Sequence, residues 1–131
     1  MNDRFLTHTE FSRAVERLKA GAREDPGKSD LIMDGVIQRF EFTFELGWKL
    51  LKAILHHQGL ERASPRSCIK EAFRIGVIGD GDAWIEMLED RNRTAHLYDE
   101  TEARAVFDKI RDRYAGLLSA LESRAKELLS S

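Results

Sequence analysis

The sequence predicts an all-helical fold, an antiparallel up-and-down bundle of four or five helices forming one domain over residues 1–131. Three observations carry this. Only two prolines, Pro26 and Pro65, interrupt the chain. Apolar residues recur at spacings of three and four, and the period-two alternation of strands is nearly absent. Helix-start signals stand in front of successive apolar stripes.

Taken in order, the first helix is expected to open at Thr7, with Glu10 completing a capping box and Phe11, Val15 and Leu18 facing inward. Asp25-Pro26-Gly27-Lys28 reads as a turn. A long second helix then runs from about Ser29 to His57, with one stripe at Ile37, Phe40, Phe44, Trp48, Leu51 and Leu55. A second row, Phe42, Leu46, Leu50 and Ile54, lies on another side, so this helix must be covered twice. It is either central in the bundle or in contact with a second subunit, and a bundle this small has few helices to spare. Ser64-Pro65 caps and starts a short third helix through Ile69, Ala72 and Phe73. Gly76 to Gly81 reads as a turn, without the Lys-Ser/Thr ending of a phosphate-binding loop. Asp82 is the expected cap of the fourth helix, and Asp99 with Glu102 opens the last. That last helix carries Ala103, Phe107, Ile110, Tyr114, Leu117, Leu121 and Leu128 at heptad-like spacing.

Composition sets outer limits. With 34% charged residues and a net charge of only −2, the chain has no bulk attraction for nucleic acid; any such contact must come from a local basic patch. The single cysteine, Cys68, forms no internal disulfide and suits a reducing compartment. The opening Met-Asn-Asp-Arg-Phe lacks the basic and apolar regions of a signal peptide, and no apolar run is long enough to span a bilayer. The expected setting is soluble and cytoplasmic, with no membrane partner.

Chemistry concentrates in Glu89-Asp90-Arg91-Asn92-Arg93-Thr94-Ala95-His96-Leu97-Tyr98. On a continuous helix Trp84, Leu88, Arg91 and Ala95 share a stripe, so the Arg91 guanidinium enters an apolar seam and needs a partner. Glu41 or Glu45 on the long second helix could answer it; otherwise these two, with Lys49 and Lys52, form a solvated face in which Glu45 and Lys49 pair. Glu89 and Arg93 are also placed to pair. His96 brings the side chain best suited to moving protons near neutrality. Asn92 stands four residues before it, placed to orient the imidazole. Arg91 and His96 are about 140° apart on an ideal helix. They meet only if the helix ends near Ala95 or a second copy completes the site, which points to a symmetric dimer. The positive charges of Arg104, Lys109, Arg111 and Arg113 are diluted by Asp108 and Asp112 and read as solvated surface. His56 and His57 point different ways and Cys68 has no ligand neighbour, so neither a metal nor another cofactor is expected.

The segment Arg91 to Tyr98 resembles the Arg-x4-His-x-Tyr signature of the HEPN domains found in minimal-nucleotidyltransferase toxin–antitoxin pairs. Arg39-Phe40-Glu41-Phe42-Thr43-Phe44-Glu45-Leu46-Gly47-Trp48-Lys49 resembles the second helix of the nucleotidyltransferase substrate-binding protein family, and Trp84 to Leu88 before the motif and Tyr98-Asp99-Glu100 after it also match that family's pattern. The likeness covers essentially the full chain and makes the expected fold HEPN-like.

The resemblance implies a homodimeric toxin, a metal-independent endoribonuclease whose catalytic residues are Arg91 and His96, with Asn92 and Arg93 positioning the RNA backbone. It also implies neutralisation by a cognate minimal nucleotidyltransferase antitoxin, through AMP transfer to Tyr98 or through complex formation. Two other readings stay open. The chain can be a non-catalytic substrate-binding partner of a small nucleotidyltransferase, which its balanced charge suits, or a dimeric bundle whose motif only fixes packing.

Overall fold

A computed structural model describes residues 3–97 and 99–129, with side chains from Thr7 onward. Among these residues every regular element is helical. Helix α1 spans Asp3–Ala22. Thr7 therefore lies inside it and is not its cap, a correction to the expected start. The reversal is a 3-10 turn, Pro26–Lys28, in which the Asp25 carboxylate accepts from the Gly27 amide at 2.8 Å. Helix α2 spans Asp30–His57, and the Ser29 hydroxyl accepts from the Leu31 amide at 3.1 Å.

Helices α1 and α2 lie antiparallel. Gly47 faces Phe11, the Thr43 hydroxyl lies 3.3 Å from the Ala14 carbonyl and 2.6 Å from that of Arg39 in its own helix, Arg39 donates to the Arg17 carbonyl, and Gly21 faces Val36. Gly47 also meets Leu118, so the missing Cβ lets two helices close on α2 at one level. The first α2 stripe is buried at Ile37, Phe40, Phe44, Leu51 and Leu55, and Leu50 and Ile54 of the second row are buried too. α2 is thus the central helix of the bundle. Phe42 departs from its row and is 58% exposed, because none of the described residues fully covers α2 at that point.

Helix α3 (Pro65–Arg74) begins with a capping box between Ser64 and Ser67. Both α2 and α3 stop at a glycine in the left-handed region, Gly59 and Gly76. There the Leu60 and Val77 amides turn back to the Leu55 and Ala72 carbonyls, each at 2.9 Å, the hydrogen bond that closes such helix ends. Helix α4 spans Gly81–Arg93, and its cap is Asp80, not Asp82: the Asp80 carboxylate accepts from the Ala83 amide at 3.0 Å. A 3-10 turn, Thr94–His96, follows at once.

The last rod is helix α5 (Glu100–Lys109), a π-helical turn (Ile110–Tyr114) and helix α6 (Ala115–Leu129) in unbroken succession. Asp99 caps it, accepting from the Glu102 amide at 2.8 Å. The π turn adds a residue to one revolution. The inward position accordingly slides from the expected Leu117 to Leu118, which is fully buried, and Ala125 rather than Leu128 continues the seam. Tyr114 stacks on Phe40 at 5.5 Å and Trp84 packs near Phe44 at 6.1 Å, so α2 is clasped between α4 and the last rod. No helix among the described residues is long and apolar enough to cross a membrane.

Candidate functional site at the exit of helix α4

Helix α4 enters the core with Ala83, Trp84, Met87 and Leu88 buried, and these residues fix the rotation of everything that follows. Arg91 is directed at α2, where its guanidinium donates to the Glu45 carboxylate at 2.8 Å. Glu45 is also 3.5 Å from Lys49. Of the two glutamates able to answer Arg91, it is Glu45 that does. The pair is only partly sheltered, with side chains 35% and 32% exposed, so the seam is wetter than the helix stripe implied. Glu41, one turn earlier, receives the Thr94 hydroxyl at 2.7 Å; that hydroxyl also lies 2.6 Å from the Arg91 carbonyl, and its one proton serves one acceptor at a time.

On its other side α4 carries a charge that the sequence reading passed over. Asp90 is fully buried. Its carboxylate accepts from the Tyr114 hydroxyl, from Arg93 and, at 3.0 Å, from Lys109. Burial alone would push this carboxyl up, but the hydrogen bonds from Tyr114, Lys109 and Arg93 together hold it below the usual carboxylate range. Burial and then the bond to Asp90 push the Tyr114 phenol far above its ordinary range. Lys109 is lowered by burial but raised more by Asp90 and Glu86, its net shift being upward. Glu86 receives both Lys109 and Arg113, which hold it low. Arg93 therefore pairs with Asp90, not with the expected Glu89; Glu89 lies 3.8 Å from Arg66 instead. Lys109 and Arg113, expected as solvated surface, belong to this network.

Beyond Arg93 the geometry changes. A 3-10 turn winds at three residues per revolution, so the rotation from Arg91 to His96 becomes about 200° instead of 140°, and that from Asn92 to His96 about 100° instead of 40°. Ideal winding of this kind turns Arg91 and His96 to opposite sides of the segment and takes Asn92 and His96 off the shared face expected of an i, i+4 pair. Ala95 is exposed, so the apolar stripe ends at Leu88 and Arg91. Asn92 is exposed as well. His96 is exposed at the rim of a groove of about 260 Å³, formed with Arg93, Leu97, Glu102, Val106 and Lys109; Arg91 lies outside it. Tyr98 lies outside the described residues.

Across the Thr94–Leu97 segment is a second depression of about 440 Å³, between the start of α2 and the cap of α5, bearing Asp30, Asp34, Glu41, Asp99 and Glu100. The segment therefore divides a groove lined with His96, Arg93 and Lys109 from an acidic one. Among the described residues no group of three histidine, cysteine or carboxylate side chains is gathered closely enough to hold a metal ion.

Residues 6–127 match the family described as nucleotidyltransferase substrate binding protein like. The chain belongs to that family. A solved structure from Thermus thermophilus superposes with a TM-score of 0.82 at 40% identity, covering 88% of this chain and 98% of that one. A second, from Haemophilus influenzae, is described as revealing the fold of a substrate binding domain of a nucleotidyltransferase. It superposes with a TM-score of 0.69 at 26% identity over 95% of this chain and 98% of that one. A curated Haemophilus influenzae protein named "Probable ribonuclease HepT" is 35% identical over 88 residues, which is 63% of this chain and 60% of that protein's length. The all-helical fold is the one these solved relatives share.

Proposed function

We propose that this chain is the toxin of a HEPN and minimal-nucleotidyltransferase pair, a metal-independent endoribonuclease that works in the cytoplasm as a homodimer. The observation that carries the proposal is the break in α4 after Arg93, which leaves His96 exposed on a groove shared with Arg93 and Lys109. The likeness to a protein named as a ribonuclease supports it. In this reading His96 takes the proton of the RNA 2′-hydroxyl or returns one to the leaving oxygen. The 2′-oxygen bonds to phosphorus as the bond to the 5′-oxygen breaks, leaving a 2′,3′-cyclic phosphate and a 5′-hydroxyl. The nucleophile is internal, so neither metal nor added water is required.

Arg91 stabilises charge on the scissile phosphate, and Asn92 and Arg93 orient the RNA backbone. Arg91 and His96 face apart in one chain, and a second copy would bring its own motif to the first across a two-fold axis. Neutralisation falls to the cognate nucleotidyltransferase, either by complex formation or by AMP transfer. In the transfer the Tyr98 oxygen attacks the α-phosphorus of ATP, pyrophosphate leaves, and a phosphodiester charge is added beside His96.

The second reading, a non-catalytic subunit that presents substrate to a nucleotidyltransferase, is favoured by the acidic groove beside Thr94 and Leu97. That groove repels RNA and suits a cationic protein surface. Cleavage of mixed cellular RNA in the presence of a chelator, with end-group mapping, separates the two. The parent protein should cut and leave cyclic phosphate ends, and His96→Ala should cut at least about a hundredfold more slowly. Equal cutting by both removes His96 from the mechanism, and no cutting by the unmodified dimer favours the subunit reading.

A further inference from the structure

Every described arginine from Arg62 onward stands within ion-pair distance of a carboxylate. The arginines of α1 and the middle of α2 differ: among the described residues none of Arg13, Arg17 and Arg39 has such a partner. These three line one groove of about 270 Å³, and the ring of Phe42, 58% exposed, forms part of it. Glu10 is the lone carboxylate there, so the groove carries a net charge of about +2 on a chain whose net charge is −2.

The arrangement is held in place. Arg39 crosses to α1 over Gly21, where a Cβ would stand 3.2 Å from its guanidinium, and it donates to the Arg17 carbonyl at 2.7 Å. A backbone carbonyl fixes the group without cancelling its charge. Arg13 and Arg17 are one helical turn apart, a rise of about 6 Å along α1. Phe42 lies about 60° around α2 from Glu45, the residue that holds Arg91, and less than one turn from it. Phe42 is therefore the α2 member of the groove nearest the Glu45–Arg91 pair.

We infer that this face binds single-stranded RNA, one base stacking on Phe42 while Arg13 and Arg17 meet successive phosphates. The inference deepens the ribonuclease reading and rests on it for the identity of the polyanion. An aromatic face among guanidiniums is what an unpaired base and its backbone require, whatever the base. A second copy of the chain fits poorly, because a two-fold contact through this face would set one net-positive patch against another. The track would run from Phe42 past Arg91 toward the α4 exit and lend the site the local basic patch that bulk composition lacks.

The test is fluorescence anisotropy of a labelled twelve-nucleotide single-stranded RNA with full-length His96→Ala protein, which holds RNA without cutting it. Phe42→Ala should weaken binding at least about fivefold. Arg13→Gln with Arg17→Gln should weaken it about tenfold and lower the salt slope by about 1.4, two phosphates at about 0.7 each. All three residues are solvent-facing, and unchanged thermal melting will show that the fold is intact. Unchanged affinity and slope in these variants overturn the inference, as does displacement of the RNA by a poly-glutamate peptide of equal charge, which would assign the face to an acidic protein. Binding that depends on the patch in a parent protein that cuts nothing would sink the ribonuclease reading and leave this inference standing. Cutting by a parent whose patch variants bind normally would do the reverse.

Discussion

Two carboxylates hold the two arginines of the motif, and they do so in opposite ways. Asp90 is fully buried and gathers Tyr114, Lys109 and Arg93 from three elements; Glu45 is 32% exposed and holds Arg91 on one rung of α2, shared with Lys49. Removing a partner from the first leaves a charge or a hydroxyl stranded away from water, while the second can be resolvated. The difference teaches that one side of α4 is scaffold and the other is adjustable. Asp90 locks α4 to the last rod and, through Tyr114 on Phe40, to α2. Arg91 is oriented but still reachable, as the phosphate-binding role proposed for it requires.

The strongest test of this contrast is Asp90→Ala. It strands the Tyr114 hydroxyl and leaves Lys109 and Arg93 without their buried counter-ion, and we expect a loss of about 3 to 5 kcal/mol in urea unfolding. A loss below about 1 kcal/mol would show that the network is not a scaffold. The same residue sets the acid limb of stability. Asp90 is held below the usual carboxylate range in the folded chain, so the unfolded chain takes up a proton first as the pH falls. The stabilisation is present above the ordinary carboxylate pKa and is lost as pH drops through the depressed native value. Lys109 and Tyr114 are both raised, so the folded chain keeps protons that the unfolded chain sheds above about pH 10, and stability falls there as pH rises. Melting curves of Asp90→Ala across pH should lose the acid dependence that Asp90 contributes.

Next in size is Tyr114→Phe, which keeps the ring on Phe40 and removes one of three donors to Asp90. A cost of about 1 to 3 kcal/mol is expected, because Lys109 and Arg93 remain to satisfy the carboxylate. A cost equal to that of Asp90→Ala would mean that the phenol, not the charge, anchors the network.

Much of this was legible in the chain. Caps at Ser64 and Asp99 stood where the structure has them, because a capping side chain acts on an amide two or three residues away. The need of Arg91 for a carboxylate on α2 was readable from its stripe, and Glu45 supplies it. The start of α1 and the cap of α4 were not, since Thr7 makes a cap signal inside a helix that already spans Asp3–Ala22, and Asp80 pre-empts the cap signal of Asp82. Asp90 was hidden among charged neighbours, although Ala83, Met87 and Asp90 form an i, i+4, i+7 stripe and a core tyrosine needs an acceptor. The relation of Arg91 to His96 was the least readable. It depends on a change from α to 3-10 winding that no capping residue announces, and the π turn that moved the seam from Leu117 to Leu118 was silent for the same reason.

Glu45→Gln should have the smallest effect and gives the finest test of the contrast. The amide keeps the shape and an acceptor for Arg91 but drops the charge. A partly exposed pair of this kind contributes about 0.2 to 1 kcal/mol, so stability should fall by no more than that. Salt supplies the discriminating axis. At about 1 M the screening length is about 3 Å, and an interaction carried by exposed charges should fade, making Glu45→Gln and the parent equally stable. The Asp90→Ala deficit should persist at the same salt, because its cost is desolvation and lost hydrogen bonds, which counter-ions cannot reach. If the Glu45→Gln deficit also survives high salt, Arg91 is packed as scaffold on both sides of α4. Its guanidinium would then be unavailable to a phosphate, and the catalytic role proposed for it would fall with the contrast.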